Sequence, residues 1–394
     1  MRARVMPVMV AALLLLSACA PGPAASRAPS GTAASTPAEA SAPSVTPTPT
    51  PVDPIAGLSL AQRVGQLFMV GTPRDSADAG TLAAVADRHV GGVFLHSSPR
   101  ASAAQTAAVV ARFTGLVSQG TTGDVPLWIA TDQEGGDVQV LYGPGFDPIP
   151  SALMQGVMAP ATLQKDAATW ASQLRSAGVD LNLAPVADIV TSPAVARQNK
   201  PIGLLNRQYG YDEKTVAAGA GAFAAGMREE GVMPTFKHFP GLGRTNTNTD
   251  FAPAVDTVIT ASSPDVEVYR SLLAQGPALV MLSTAVYEKI DPAAPAAFSS
   301  KIVTGLLRGQ LGFDGVVITD DLSAAAAVSR FTPADRAIDA IEAGCDIVLV
   351  SSGPALLPEM YDAVLAKAQS DPAFAAQVDA AARRVVVAKQ SGVG

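Results

Sequence analysis

The chain has 394 residues, 48% of them hydrophobic, and a formal net charge of −7. That is enough apolar material for the core of one large domain or two ordinary ones. Setting aside Arg2 and Arg4 at the N-terminus takes the charge from −7 to −9, a balance that argues against a nucleic-acid binder with its basic stripe.

Arg2 and Arg4 precede an apolar run from Val5 to Leu16. The run is too short to span a bilayer and reads as a targeting segment over 1–18. It ends in Leu16-Ser17-Ala18-Cys19, which resembles a bacterial lipobox. Cys19 is therefore the expected lipidation site, and the protein is expected outside the cytoplasm, held to the membrane by a lipid anchor. An ordinary signal peptide is the plain alternative. Cys345 is the other cysteine. With Cys19 acylated no intrachain disulfide can form, and Cys345 reads as a core thiol.

Residues 19–54 follow as a tether rich in Ala, Pro, Ser and Thr, with TPTPTP at 46–51. Such a composition cannot pack a core. In polyproline form, at about 3.1 Å per residue, it would hold a domain up to roughly 100 Å from its anchor.

Residues 55–394 have another texture: short apolar, β-branched runs alternate with Ala-rich helical stretches. The expected strands are QLFMVG (66–71), GGVFLH (91–96), LWIATD (127–132), VDLNLAP (179–185), PTFKHF (234–239), ALVMLST (278–284), GVVITD (315–320) and DIVLVSS (346–352). Helical stretches between them include 161–178, 213–231 and 324–344, several closing on glycine. The strand runs read as buried and parallel. Eight such units predict an α/β fold, a (β/α)8 barrel in one catalytic domain. An open doubly wound sheet is the alternative, but no G-x-G-x-x-G follows the first strand, so a dinucleotide site has no support.

In such barrels the site forms at the C-terminal strand ends. Those ends carry His96, Asp132, Asp188, Lys237-His238 and Asp320-Asp321. A buried lysine requires acidic or hydroxyl-rich company, and a pocket of Lys, His, Arg and Asp suits a polyhydroxylated ligand. Two acids at separate strand ends suit glycoside chemistry. Asp320 closes the run GVVIT, so a rigid strand would hold its carboxylate in place. The plain alternatives are a structural ion cluster for Lys237-His238 and a helix N-cap for Asp320, a role that fits Asp321 better. Trp128 and Trp170 read as core residues and His89 as a surface or capping residue. The loop 142–150 lines the pocket or merely connects.

Seven segments occur in family order: TDQEGG (131–136), IPSALMQG (149–156), NLAPVADI (182–189), NRQYG (206–210), KHFPGLG (237–243), VITDDLS (317–323) and AGCDIVLV (343–350). On these the chain, over about 55–394, resembles glycoside hydrolase family 3, in particular its single-barrel bacterial β-N-acetylhexosaminidases. The resemblance implies exo-hydrolysis of a terminal β-linked sugar with retention of configuration, N-acetylglucosamine from cell-wall fragments being the expected substrate. It makes Asp320 the nucleophile and groups Asp132, Arg207, Lys237, His238 and Asp188 as substrate-binding residues. No metal or organic cofactor is implied, and a monomer is expected.

The chain also departs from the family pattern. Where the loop after the fifth strand usually carries Asp-Ser-His, this sequence has Asn248-Thr249-Asp250. Leu242 and Thr284 stand where histidines are usual, and Asp137 and Val140 where arginines are. Two readings follow. Either Asp250 serves as acid/base with Asn248 as its hydrogen-bond partner, as carboxylic acids do in other glycosidases, or the loop has lost its catalyst and the protein is an impaired or non-catalytic glycan binder. Asp250 is the only carboxyl group in 240–252, and the chain ends soon after the eighth strand, which favours the first.

Overall fold

The structure is a computed structural model describing residues 53–96 and 100–392. The expected signal peptide, Cys19 and the tether as far as residue 52 lie outside the described residues.

The eight apolar runs form strands β1 Phe68–Pro73, β2 Gly92–His96, β3 Trp128–Thr131, β4 Leu181–Asn182, β5 Met233–Phe239, β6 Leu279–Leu282, β7 Val317–Asp321 and β8 Ile347–Val350. They close into one parallel barrel in which each strand pairs with its sequence neighbours and β1 pairs with β8. The chain is thus a (β/α)8 barrel. β4 is shorter than its apolar run suggests, because Pro185 follows closely and has no N–H for the ladder.

Helices α1 Leu60–Gln66, α2 Ala79–Arg88, α3 Ala103–Thr114, α4 Pro160–Ser176, α5 Glu213–Glu229, α6 Pro264–Leu273, the π-wound α7 Lys301–Gln310, α8 Pro333–Ala343, α9 Leu357–Ser370 and α10 Pro372–Ser391 surround the sheet. Their ends follow sequence chemistry. Ser59 with Gln62 and Ser102 with Gln105 form capping boxes, and Asp78 and Asp212 cap α2 and α5. His89 closes α2 in a left-handed conformation, the capping one of the two roles expected of it.

One expectation fails. The stretch 324–344 is not a single helix. Thr332 is extended (φ −65°, ψ 155°) before Pro333, which disfavours the helical region for its predecessor, and α8 starts afresh there with Thr332 as N-cap. The alanine run before it makes only a short 3₁₀ turn, Ala326–Val328.

Inside the barrel, Met69, Phe94, Trp128, Leu181, Met233, Met281, Ile318 and Leu349 pack into one apolar cluster, closed from α10 by Val385. The complementary strand faces, such as Phe68, Val70 and Phe236, join the larger core under the helices. Trp128 therefore lies in the barrel interior, while Trp170 packs between α4 and α5 with its ring 6.1 Å from Phe223. Cys345 is buried, and burial pushes its thiol well above the usual range.

Candidate active site

The two-residue period of a strand sets which side chains reach the mouth. Counting inward positions from the apolar cluster toward each C-terminal end gives Phe94 then His96, Trp128 and Ala130 then Asp132, Met233 and Thr235 then Lys237, Ile318 then Asp320, and Leu349 then Ser351. Each of these series starts apolar and ends in a polar residue at the mouth. Those last residues line a cavity of about 340 Å³ at the mouth, together with Arg207, His238, Leu242, Asn248, Thr249 and Asp250.

His238 enters out of phase. The β5 ladder slips between Lys237 and Phe239, where the Lys237–His238 peptide is cis, and both neighbours line the cavity. Simple alternation would have placed only one of them there.

Lys237 donates to Asp132 Oδ1 and approaches Glu134 Oε1, both at 2.6 Å. Arg207 forks onto the same Glu134 through Nε at 2.8 Å and a terminal nitrogen at 2.7 Å, and its other terminal nitrogen donates to the Pro201 carbonyl. Glu134 was missing from the expected site. Its signal was the lysine, which required a buried acid, and the turn that returns it to the barrel. Gly135 (φ 103°) and Gly136 (φ 61°) form that turn, and a Cβ on Gly135 would lie 2.3 Å from the Pro150 carbonyl oxygen. Burial works against the Glu134 charge, but Arg207 and Lys237 overcome it and hold the carboxyl at about 2. Burial likewise opposes the Lys237 ammonium, and Asp132 and Glu134 overcome it, raising it above its ordinary value.

Asp188 differs from its expected role. Its side chain is fully buried beneath the cavity. It accepts from His238 Nδ1 at 2.8 Å and from the Leu242 N–H at 2.7 Å. It therefore orients the imidazole and the following turn and does not face the cavity; His238 Nε2 points toward Arg207 at 3.5 Å. The turn fits only because Gly243 passes the backbone of Ile189, where a Cβ would meet the carbonyl oxygen at 2.1 Å.

Asp320, at the end of β7, and Asp250, in the loop after β5, line the same cavity. Asp320 accepts the Asp321 N–H at 2.8 Å. Loss of water contact pushes its carboxyl up to about 6, with the charge of Asp250 adding to the rise and His238 opposing it. Asn248 holds Asp250 differently from the expected partnership: its Oδ1 accepts the Asp250 backbone N–H at 2.9 Å, an Asx turn, and its partner is not the carboxylate. Asp250 itself is exposed. Asp321 ties loops by accepting from Ser323 N at 2.9 Å and Ser351 N at 3.0 Å; it caps no helix.

Of the other positions, His96, Leu242 and Val140 line the cavity, whereas Thr284, Asp137 and the 142–150 loop do not. Tyr142 in that loop sits beneath the Arg74 guanidinium, 3.8 Å from it. Sequence reasoning also missed Leu205, Met281, Ser351 and Ser352 as lining residues. Among the described residues no group of three or more His, Cys, Asp and Glu is arranged to hold a metal ion.

The family model described as the glycosyl hydrolase family 3 N-terminal domain matches residues 59–388. A β-hexosaminidase of Mycobacterium tuberculosis, LpqI, is 32% identical over 381 residues, covering 92% of this chain and 92% of its own length. A β-hexosaminidase of Xylella fastidiosa is 33% identical over 319 residues, 78% of this chain and 90% of its own. The crystal structure of a β-N-acetylhexosaminidase from Beutenbergia cavernae superposes with a TM-score of 0.84 at 59% identity, covering 84% of this chain and 99% of that one.

Proposed function

This chain belongs to glycosyl hydrolase family 3 and is a glycoside hydrolase; on that premise we propose that it removes single terminal β-linked N-acetylhexosamine units with retention of configuration. One observation carries the reading. Two carboxylates, one at the end of β7 and one in the loop after β5, share a cavity of about 340 Å³, near the small end of the roughly 300–1,000 Å³ range of ligand pockets, together with a Lys–Arg–His–acid cluster. A cavity of that size suits one sugar ring and an exo mode of attack.

In the proposed sequence, the Lys237 ammonium keeps one N–H beyond those aimed at Asp132 and Glu134, and gives it to a ring hydroxyl. Asp132 and Arg207 hold neighbouring hydroxyls. Asp320 attacks the anomeric carbon while the bond to the leaving oxygen breaks. Asp250 gives that oxygen its proton. The product is an ester between the sugar and Asp320. Water then attacks the same carbon, Asp250 takes its proton, and the Asp320 carboxylate is released. The Asp320 carboxylate lies against the anomeric carbon, where positive charge develops in both steps.

The test is turnover of 4-nitrophenyl N-acetyl-β-glucosaminide. Asp320→Ala should abolish it, Asp250→Ala should lower it strongly, and azide should restore turnover to the Asp250 variant by taking the place of water. Sugar binding without turnover, on activated substrates too, would sink the proposal in favour of a glycan binder.

The relatives are named β-hexosaminidase; within that class we propose N-acetylglucosamine as the sugar and short cell-wall fragments as its source. Release of N-acetylglucosamine from purified muropeptides tests this. We further propose export and lipid anchoring through Cys19, from the Leu16-Ser17-Ala18-Cys19 sequence. Radiolabelled palmitate should enter the wild-type chain and not Cys19→Ser. The enzyme is proposed to act as a monomer, which light scattering checks.

A further inference from the structure

The alanine run between the seventh strand and α8 forms only a short 3₁₀ turn and no α-helix, and that leaves backbone donors free for use elsewhere. A 3₁₀ turn gives its first N–H groups no partner within the turn. In this chain the N–H of Ala326 donates to the Asp250 carbonyl at 3.2 Å, and that of Ala327 to the Thr249 carbonyl at 3.1 Å. The segment that leaves Asp320 thus grips the backbone of the residue carrying the other cavity carboxylate.

The turn is itself held in place. Arg336, in the first turn of α8, is buried. Its Nε donates to the Phe331 carbonyl at 3.0 Å, and one terminal nitrogen donates to those of Leu322 and Ser323 at 2.8 and 3.3 Å. One guanidinium therefore brackets both ends of the 322–331 loop. The Phe331 ring adds an edge contact to Phe298, with centroids 5.0 Å apart. On its own side, the 241–250 loop is fixed by Asp188 at Leu242, by Asn199 Nδ2 at the carbonyls of Leu242 and Thr245, and by Arg244 paired with Asp265 at 2.9 Å. At Thr249 and Asp250, the two alanine N–H groups hold the backbone carbonyls from outside the loop.

We propose that the Ala326–Val328 turn, braced by Arg336, is a positioning device that sets where Asp250 meets the leaving group. The proposal rests on the reading of Asp250 as acid/base. Arg336 and Ala326 touch no substrate; they act through the backbone of Asp250. The clamp joins the segment that follows the strand of Asp320 directly to the loop of Asp250, so the separation of the two carboxylates is set before substrate arrives.

Ala326→Pro isolates the contact. Proline removes the one N–H that reaches Asp250. It suits the first position of the turn, and Ala325 before it is already extended (φ −59°, ψ 122°). Ala326→Gly, which keeps the N–H, is the control. Aryl N-acetyl-β-glucosaminides of graded leaving-group acidity supply the readout. A displaced acid matters for poor leaving groups and hardly for good ones. On a phenyl aglycone Ala326→Pro should lower kcat/KM about tenfold or more. On a 2,4-dinitrophenyl aglycone it should stay within about twofold of wild type, and Ala326→Gly should resemble wild type on both. Equal losses on both aglycones, or none on either, overturn the clamp. If Ala326→Pro does not fold, Arg336→Lys answers the same question from the other side of the turn: a loss confined to the phenyl aglycone supports the clamp, and equal losses or none overturn it. Asp250→Ala in the same series separates the two levels. A steep leaving-group dependence there with a flat one in the turn variants removes the clamp alone; a flat one in Asp250→Ala removes the acid/base reading and the clamp with it.

Discussion

Asp320 offers the sharpest test of the site's electrostatics. Its carboxyl lies at about 6 instead of 3.8, a rise of about two pH units. Withdrawal from water is the largest cause, the like charge of Asp250 adds to it, and His238, the Asp321 N–H and Lys237 oppose it. The nucleophile must be ionised, so kcat/KM should fall on the acid side with a midpoint near 6 in the free enzyme. Asp250→Asn removes the second charge at nearly constant size. Because burial outranks Asp250 among the causes, the midpoint should move down by only part of the rise, about half to one pH unit. The assay is kcat/KM from pH 4 to 8 on a 2,4-dinitrophenyl glycoside, which leaves without acid assistance and keeps the variant measurable. A midpoint that stays in place or moves upward refutes the claim that these two carboxylates share one field.

The same displacement affects stability. A carboxyl raised in the fold contributes stability that is full below 3.8 and lost as pH rises through about 6, so the wild type should weaken across that window. Asp320→Asn escapes the loss: it should gain about 1–2 kcal/mol in denaturant unfolding at pH 7.5, after allowance for partial solvent access, and only a small fraction of that at pH 4. Glu134 behaves oppositely. Held at about 2 by Arg207 and Lys237 against burial, it contributes stability above 4.5 that is lost as pH falls through about 2. Glu134→Gln leaves two buried cations short of an acid. Urea unfolding should show a cost of about 3 kcal/mol at pH 7, shrinking toward pH 2, with a raised KM. Phe236→Ala empties a fully buried site between barrel and helices and should cost about 3–5 kcal/mol by the same measurement, with kcat little changed.

Much of this protein is readable in its residues alone. Eight apolar runs of strand length, separated by Ala-rich helical stretches that cap and stop in recognisable ways, leave few architectures open. Burial on both faces demands continuous apolar strands, and parallel strands demand crossovers between them. The period of two then carries each inward series from apolar to polar at the mouth, which is why Asp132, Lys237 and Asp320 stand out in the sequence. The seven family segments added the likeness that the barrel pattern alone could not supply.

Other features depended on contacts between residues far apart in the chain. Asp188 reads as one more strand-end acid until the fold places the His238 imidazole and the Leu242 N–H against it. His238 joins the cavity only because the β5 ladder slips. Glu134 becomes a hub when Arg207, 73 residues away, folds onto it. The alanine run looks helical by propensity, yet Thr332-Pro333 resets the helix and the freed N–H groups find carbonyls some 77 residues upstream. Local pattern determines which face a side chain takes and where an element ends. Which buried donor meets which acceptor is decided when the elements pack, since each buried polar group must find its partner in the space the barrel leaves.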